Sequence, residues 1–268
     1  MIEAYQRMFS EYPLLFIAIV SIFGLLVGSF LNVVAIRVPK GESVVQPPSH
    51  CSSCKHRLAW RDLVPIWSYY GLKGRCRYCK ALFSPKYAYY EALTGFMYGA
   101  SAWYYGLNPE LLMALLFVSI LIVIVQTDLK EKLIPDRVIV FGLISCGLLR
   151  LWVHPEPLWQ HAVGFLVGGG VLYLLAWFSE AILRKEGMGG GDIKLFAWIG
   201  LVLGFKLTLL TLFMASLLGT LFGLIQLIMG VYRRDRYIPF GPFIAVGAYV
   251  SYLWGNRLIQ SYLSFFIN

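Results

Sequence analysis

Apolar stretches long enough to cross a bilayer recur along the whole chain, and nothing else in it constrains folding as strongly. A transmembrane helix needs about 20 mostly apolar residues. Runs of this kind occur at 13–36, 88–107, 109–127, 137–153, 158–181, 192–206, 207–231 and 239–255. The fourth, sixth and eighth are short, and the boundary at 206/207 is inferred from a helical hairpin rather than from a polar loop. The fold class expected is an all-α polytopic membrane protein with about eight transmembrane helices. Composition agrees, with 59% hydrophobic and only 14% charged residues, against about 25% charged in a soluble domain. An ordinary soluble enzyme, a disordered chain, a collagen and a disulfide scaffold are all excluded.

Charge tests the span count. The net charge is +9, and residues 37–86 hold ten Lys/Arg against Glu42 and Asp62. The rest of the chain is therefore close to neutral. If the loops alternate between two faces, one face receives 37–87, 128–137, 182–194 and 232–238, with 19 Lys/Arg. The other receives Arg7, Arg150, Lys206 and Arg257. The positive-inside rule then places the 19 in the cytoplasm and both termini outside. The first run follows Arg7 but lacks a small-residue cleavage site and leads into further spans, so a retained signal-anchor is expected.

Four of the five cysteines lie in the basic insert. Cys51-Ser52-Ser53-Cys54 and Cys76-Arg77-Tyr78-Cys79 form two C-x2-C knuckles separated by 21 residues. Two such pairs complete a tetrahedral thiolate shell, so structural zinc is expected at Cys51, Cys54, Cys76 and Cys79. Gly71 and Gly74 suit the tight turns before the second knuckle. Disulfides fit a reducing cytoplasm poorly, and a redox site needs one C-x-x-C rather than two. The basic residues around the knuckles are expected to meet lipid headgroups rather than nucleic acid. Cys146, inside a span, reads as a packing residue.

Carboxylates at a bilayer are costly, about 2.5–3.5 kcal/mol each on translocon scales, and are functional candidates for that reason. Asp128 ends the third run, and Asp192 opens the sixth after Gly189-Gly190-Gly191. Two spans separate them, so both reach the same face. A hydrolytic dyad needs one ionised carboxylate to activate water and one protonated carboxylate to polarise the scissile carbonyl. The helix macrodipole disfavours charge at Asp128 and favours it at Asp192. The glycines carry no Cβ, so a substrate backbone can approach. The bland alternative makes Asp192 an N-cap and Asp128 a surface loop residue. Asp136, after Pro135, also reads as an N-cap, and Glu91 near the start of the second span as a snorkelling or paired group.

These residues together resemble the prepilin peptidases, the GxGD-type membrane aspartyl proteases of type IV pili and type II secretion. The resemblance runs nearly end to end. It rests on Gly28-Ser29-Phe30-Leu31-Asn32-Val33-Val34, Arg37-Val38-Pro39, Pro48-Ser49-His50-Cys51 with Cys54, Cys76 with Cys79, and Glu91-Ala92-Leu93-Thr94. It continues through Asp128-Leu129, Ile134-Pro135-Asp136, Gly187-Met188-Gly189-Gly190-Gly191-Asp192-Ile193-Lys194-Leu195 and Ile238-Pro239-Phe240-Gly241-Pro242. The glycine string combined with the double knuckle is highly specific. The resemblance implies that Asp128 and Asp192 are the catalytic pair, with Gly189, Gly190, Gly191 and Lys194 in the active-site loop. It implies cleavage of prepilins or pseudopilins after a leader Gly, before an apolar helix usually starting with Phe. It further implies methylation of the new α-amine from S-adenosylmethionine, with Glu91 a methyltransferase or substrate contact.

The resulting expectation is a multi-pass protein of the bacterial inner membrane with its active site facing the cytoplasm. Residues 1–36 form the first span, 37–87 the cytoplasmic zinc insert, and 88–268 the protease core. Its partners are pilin precursors and the lipid bilayer, with no nucleic acid. The runner-up is a non-enzymatic zinc-binding assembly factor. A transporter relay is a third reading, which the placement of the acids at span ends disfavours.

Overall fold

The computed structural model describes residues 11–183, 189–230 and 239–267. Arg7, the basic residues at 184–185 and 233–236, Gly187, Met188 and Ile238 lie outside the described residues. Among the described residues eight long helices form: α1 Pro13–Arg37, α2 Lys86–Tyr105, α3 Glu110–Glu131, α4 Asp136–Trp152, α5 Leu158–Leu183, α6 Gly190–Leu203, α7 Phe205–Ile228 and α8 Gly241–Ile267. Among the described residues there is no strand, only two isolated bridges, His50 to Arg57 and Arg75 to Leu82. Each helix contains most of one apolar run, and α8 continues to Ile267, twelve residues beyond the expected end of the eighth run at 255. A backbone in hydrocarbon must satisfy its own hydrogen bonds, and a helix does so within one segment.

Four helical stretches are long and apolar enough to cross a membrane: Pro13–Lys40, Glu110–Glu131, Leu158–Ile182 and Phe205–Ile228. In α3 the apolar window is 72% buried, against 17–28% in the other three. Those three turn Phe23, Phe30, Leu166, Trp177, Phe213 and Ile228 outward. Apolar surface of this extent is stable only against lipid or protein.

The boundary between the sixth and seventh runs falls at Gly204, two residues before the expected hairpin. Its φ of 75° and ψ of 168° break the helix where a Cβ-bearing residue would be strained. Pro135 rather than Asp136 takes the N-cap position of α4, so Asp136 is the first helical residue. Pro at that point has no N–H to leave unpaired, and the cap is made without any side chain.

The chain divides into two compact units, 1–126 and 127–268, with the boundary inside α3. In the first, α1 and α2 run against each other at glycines. A Cβ on Gly24 would lie 2.7 Å from the Tyr98 Cβ, and one on Gly28 would lie 3.0 Å from the Glu91 Cα. Tyr98 Oη and Ser119 Oγ, 2.7 Å apart, tie α2 to α3.

In the second unit α5 and α6 cross at Gly164 and Gly200, where a Cβ on either would overlap backbone atoms of the other helix. Arg150, almost fully buried, donates from Nε to the Val202 carbonyl (3.0 Å) and from Nη1 to the Val153 carbonyl (3.1 Å). His161 Nδ1 meets the Leu201 carbonyl at 3.1 Å. These contacts hold the C-terminal end of α6 and so fix the helix whose first turn carries Asp192. Cys146 is fully buried, as a packing residue should be.

Candidate active site and metal centre

Asp128 and Asp192 both belong to the second unit, and both are buried, at 4% and 6% exposed. Asp128 lies one turn before the end of α3, and Asp192 in the first turn of α6. They approach closely enough for the charge on one to act on the other. Asp128 Oδ2 accepts the Gly241 N–H at 2.8 Å. That amide is one of the unpaired donors at the start of α8, so a helix terminus aims the carboxylate. No hydrogen bond or turn in the sequence announces this partner. The only signal was the Phe-Gly-Pro punctuation ahead of the last apolar run.

The glycines take up helical positions rather than the expected loop. Gly189 is the N-cap of α6, and Gly190 and Gly191 open the helix, which also contains Lys194. The first turn has no intrahelical N–H bonds to lose, so glycine is tolerated there. Gly191 packs against Ile134, where a Cβ would sit 3.1 Å from the Ile134 Cβ. Asp192 N–H donates to the Gly189 carbonyl at 3.1 Å. Lys194 Nζ pairs with Asp136 Oδ1 at 2.8 Å, an exposed link between α4 and α6 that sequence reasoning did not find.

The four cysteines of the first unit come together, with all sulfurs within 4.8 Å of one another and Cys51 Sγ 3.8 Å from Cys79 Sγ. The two knuckles are near copies. Cys51 N–H donates to the His56 carbonyl and Lys55 N–H to the Cys51 carbonyl; Cys76 N–H donates to the Ala81 carbonyl and Lys80 N–H to the Cys76 carbonyl. Lys55 and Lys80 both sit in the left-handed region, at φ 58° and 60°. In each pair the first sulfur is buried and the second exposed. Gly74 takes φ 67° before the second knuckle, whereas Gly71 merely ends the short helix Trp67–Gly71.

Backbone hydrogen bonding from Cys54 pulls the Cys51 thiol down to about 6. The Ala81 amide favours the Cys79 thiolate, but desolvation and the neighbouring thiols outweigh it and push Cys79 up to about 11. Thiolates this close repel one another unless a cation lies among them, so the donor set suits a metal ion. Asp62 braces the insert. Burial opposes its charge, but Arg77 Nε at 2.7 Å, the Ala59 amide and Tyr78 hold it below the usual carboxylate range.

Glu91 is in the first unit, 9% exposed. Its Oε2 accepts the Ile66 N–H at 2.8 Å, and Ser29 also hydrogen-bonds to it. It neither snorkels nor pairs with a basic residue of the insert.

Residues 22–105 match the bacterial peptidase A24 N-terminal domain, and residues 115–224 match the type IV leader peptidase family. A protein of Bacillus subtilis (strain 168), named prepilin leader peptidase/N-methyltransferase, is 36% identical over 92% of this chain and 98% of its own length. The chain belongs to the type IV leader peptidase family. Family members with the same printed name from Stutzerimonas stutzeri and Pseudomonas aeruginosa are 32% and 31% identical. They cover 94% and 96% of the chain, and 96% of each of those proteins is matched. No solved structure gives a significant match.

Proposed function

We propose that this family member cleaves the leader from prepilins or pseudopilins on the cytoplasmic side of the bacterial inner membrane and then N-methylates the new terminus. Asp128 and Asp192 are the catalytic pair. The cut falls after Gly and before an apolar helix usually starting with Phe. The observation that carries this reading is the pairing of two buried carboxylates at oppositely oriented helix ends, beside a Cβ-free helix start. Two carboxylates in mutual reach do not both ionise readily, so one proton is shared. The ionised member takes a proton from a water, which attacks the scissile carbonyl, while the protonated member gives its proton to the carbonyl oxygen. Collapse of the tetrahedral adduct returns the C=O, breaks the C–N bond, and passes a proton to the departing α-amine. The Gly241 N–H keeps Asp128 oriented throughout.

All eight helices are proposed to span the membrane, with 37–87 as a cytoplasmic insert and 88–268 as the protease core. The four cysteines hold zinc in a closed shell. Sulfur separations near 3.8 Å suit Zn–S bonds of about 2.3 Å, so the ion serves folding rather than chemistry. S-adenosylmethionine supplies the methyl group. The bilayer and pilin precursors are the partners, and nucleic acid is not.

Purified protein in detergent, incubated with a prepilin and S-adenosylmethionine, should give a product shortened at the Gly–Phe bond and one methyl group heavier. A product neither shortened nor methylated would refute the reading.

A further inference from the structure

In the second unit, α7 and the start of α8 bring three phenylalanine rings together. The Phe222 and Phe243 ring centroids are 5.3 Å apart, and those of Phe240 and Phe243 are 6.3 Å apart. Both distances fall in the range of about 4.5–7 Å at which aromatic pairs attract. Phe240 lies against Gly219 of α7, where a Cβ would sit 3.2 Å from its ring. Pro239 and Pro242 bracket Phe240 and Gly241 and stiffen the chain there, since proline locks φ. The cluster is not closed: Phe222 is 40% exposed, and Phe240 and Phe243 are half-buried.

Phe240 stands immediately before α8, and its carbonyl accepts the Phe243 and Ile244 N–H groups at 3.0 and 3.1 Å. At such a position Ser, Thr, Asp or Asn would offer a side-chain acceptor to a free helix N–H. Phenylalanine offers none, so helix capping does not account for it. The N–H of the next residue, Gly241, goes instead to Asp128 Oδ2 at 2.8 Å. Phe240 is therefore joined through a single peptide unit to the donor that aims one carboxylate of the pair. A peptide bond held at Asp128 brings the side chains on either side of it into the same neighbourhood.

Resting on the reading that the chain cuts after Gly and before an apolar helix usually starting with Phe, we propose that Phe222, Phe240 and Phe243 form the subsite for the residue that follows the scissile bond. The residue before the cut is Gly and has no side chain to recognise, so side-chain recognition at the bond falls on the residue after it. An aromatic ring there joins the cluster by edge-to-face or offset contact. Lipid tails can cover the same edges when no substrate is bound, but an acyl chain gains nothing from ring geometry. Of the three, Phe240 adjoins the Gly241 amide and carries most of the discrimination.

Matched prepilins with Phe or Ala after the leader Gly, compared by kcat/KM on the intact detergent-solubilised protein, test this. The wild type should favour the Phe form at least about tenfold, and Phe240→Ala should bring that ratio to within about threefold of unity, whatever its overall rate. A ring that only packs α7 on α8, or only faces lipid, would slow both forms alike. An unchanged ratio in the variant would thus overturn the subsite while leaving cleavage standing. A wild type indifferent to the residue would do the same, and one that cuts neither form would overturn the cleavage reading and the subsite together. Cross-linking needs no variant to fold: a prepilin carrying benzoylphenylalanine after the leader Gly is irradiated on the wild type. Label on peptides containing Phe222, Phe240 or Phe243 supports the subsite, and label confined to other peptides overturns it.

Discussion

Asp128 and Asp192 are each replaceable by Asn with little change in volume, which makes the pair a clean test at the scale of single residues. Either variant should lose cleavage by about 10²–10⁴-fold, because an amide can neither accept nor relay the proton. Insertion and expression should be unchanged. Asp136→Asn is the control: its pair with Lys194 is 55% and 68% exposed at the two side chains, and exposed pairs contribute about 0–1 kcal/mol. Near-native cleavage by Asp128→Asn or Asp192→Asn would remove that residue from the chemistry. Gly241 is tested differently. A Cβ there would lie 2.6 Å from Asp128 Oδ2, so Gly241→Ala should turn the carboxylate and slow cleavage by about a hundredfold, with KM little altered. An unchanged kcat in a variant that keeps its fold would show that the amide contact does not position Asp128.

Among the elements, the paired knuckles and the α5–α6 crossing depend on opposite properties, charge and shape. The purified chain should carry about one zinc, lost when Cys51→Ser and Cys76→Ser are combined. Binding needs thiolates. The Cys51 thiol, brought from 9.0 to about 6, favours the folded, ionised state at neutral pH, and that advantage disappears as pH falls through about 6. Metal retained on dialysis at pH 7.5 should therefore be released near pH 5. Full retention at pH 5, measured by metal analysis, would contradict the assignment. At the crossing, Gly200→Ala inserts a methyl where the Gly164 carbonyl already sits. Overpacking of this kind costs about 1–3 kcal/mol, seen as a lower unfolding midpoint, and a midpoint equal to wild type would mean the helices separate freely.

For the whole molecule, the number of crossing helices is directly measurable. Length and composition qualify four, whereas alternation of the basic loops asks for eight. Single cysteines introduced at Lys132 and at His154, their labelling counted above that of the unaltered chain, should be labelled from opposite faces of inside-out vesicles, Lys132 from the cytoplasmic one. Labelling of both from one face would mean that α4 does not cross. The helices that fail the apolar threshold do so for identifiable reasons. α4 and α6 have 17 and 14 residues, α2 carries Lys86 and Glu91 beside Tyr87, Tyr89 and Tyr90 in its first turns, and α8 carries Asn256, Arg257 and Gln260 in its second half.

Sequence alone determined where the helices lie, because hydrocarbon requires each backbone segment to close its own hydrogen bonds and twenty apolar residues in a row have few other options. It also brought the four cysteines to one point, since C-x2-C spacing sets two sulfurs on one short turn. Tertiary structure decided the rest. That Gly190 and Gly191 begin a helix, that Pro135 stands at the α4 cap, and that the Gly241 amide reaches Asp128 across 113 residues depend on which helix ends meet. So does a cavity lined by Ser29 and Glu91, which are 62 residues apart in the chain. Local patterning reports what a segment must hide from water or lipid. It carries no record of the partner against which that segment is hidden.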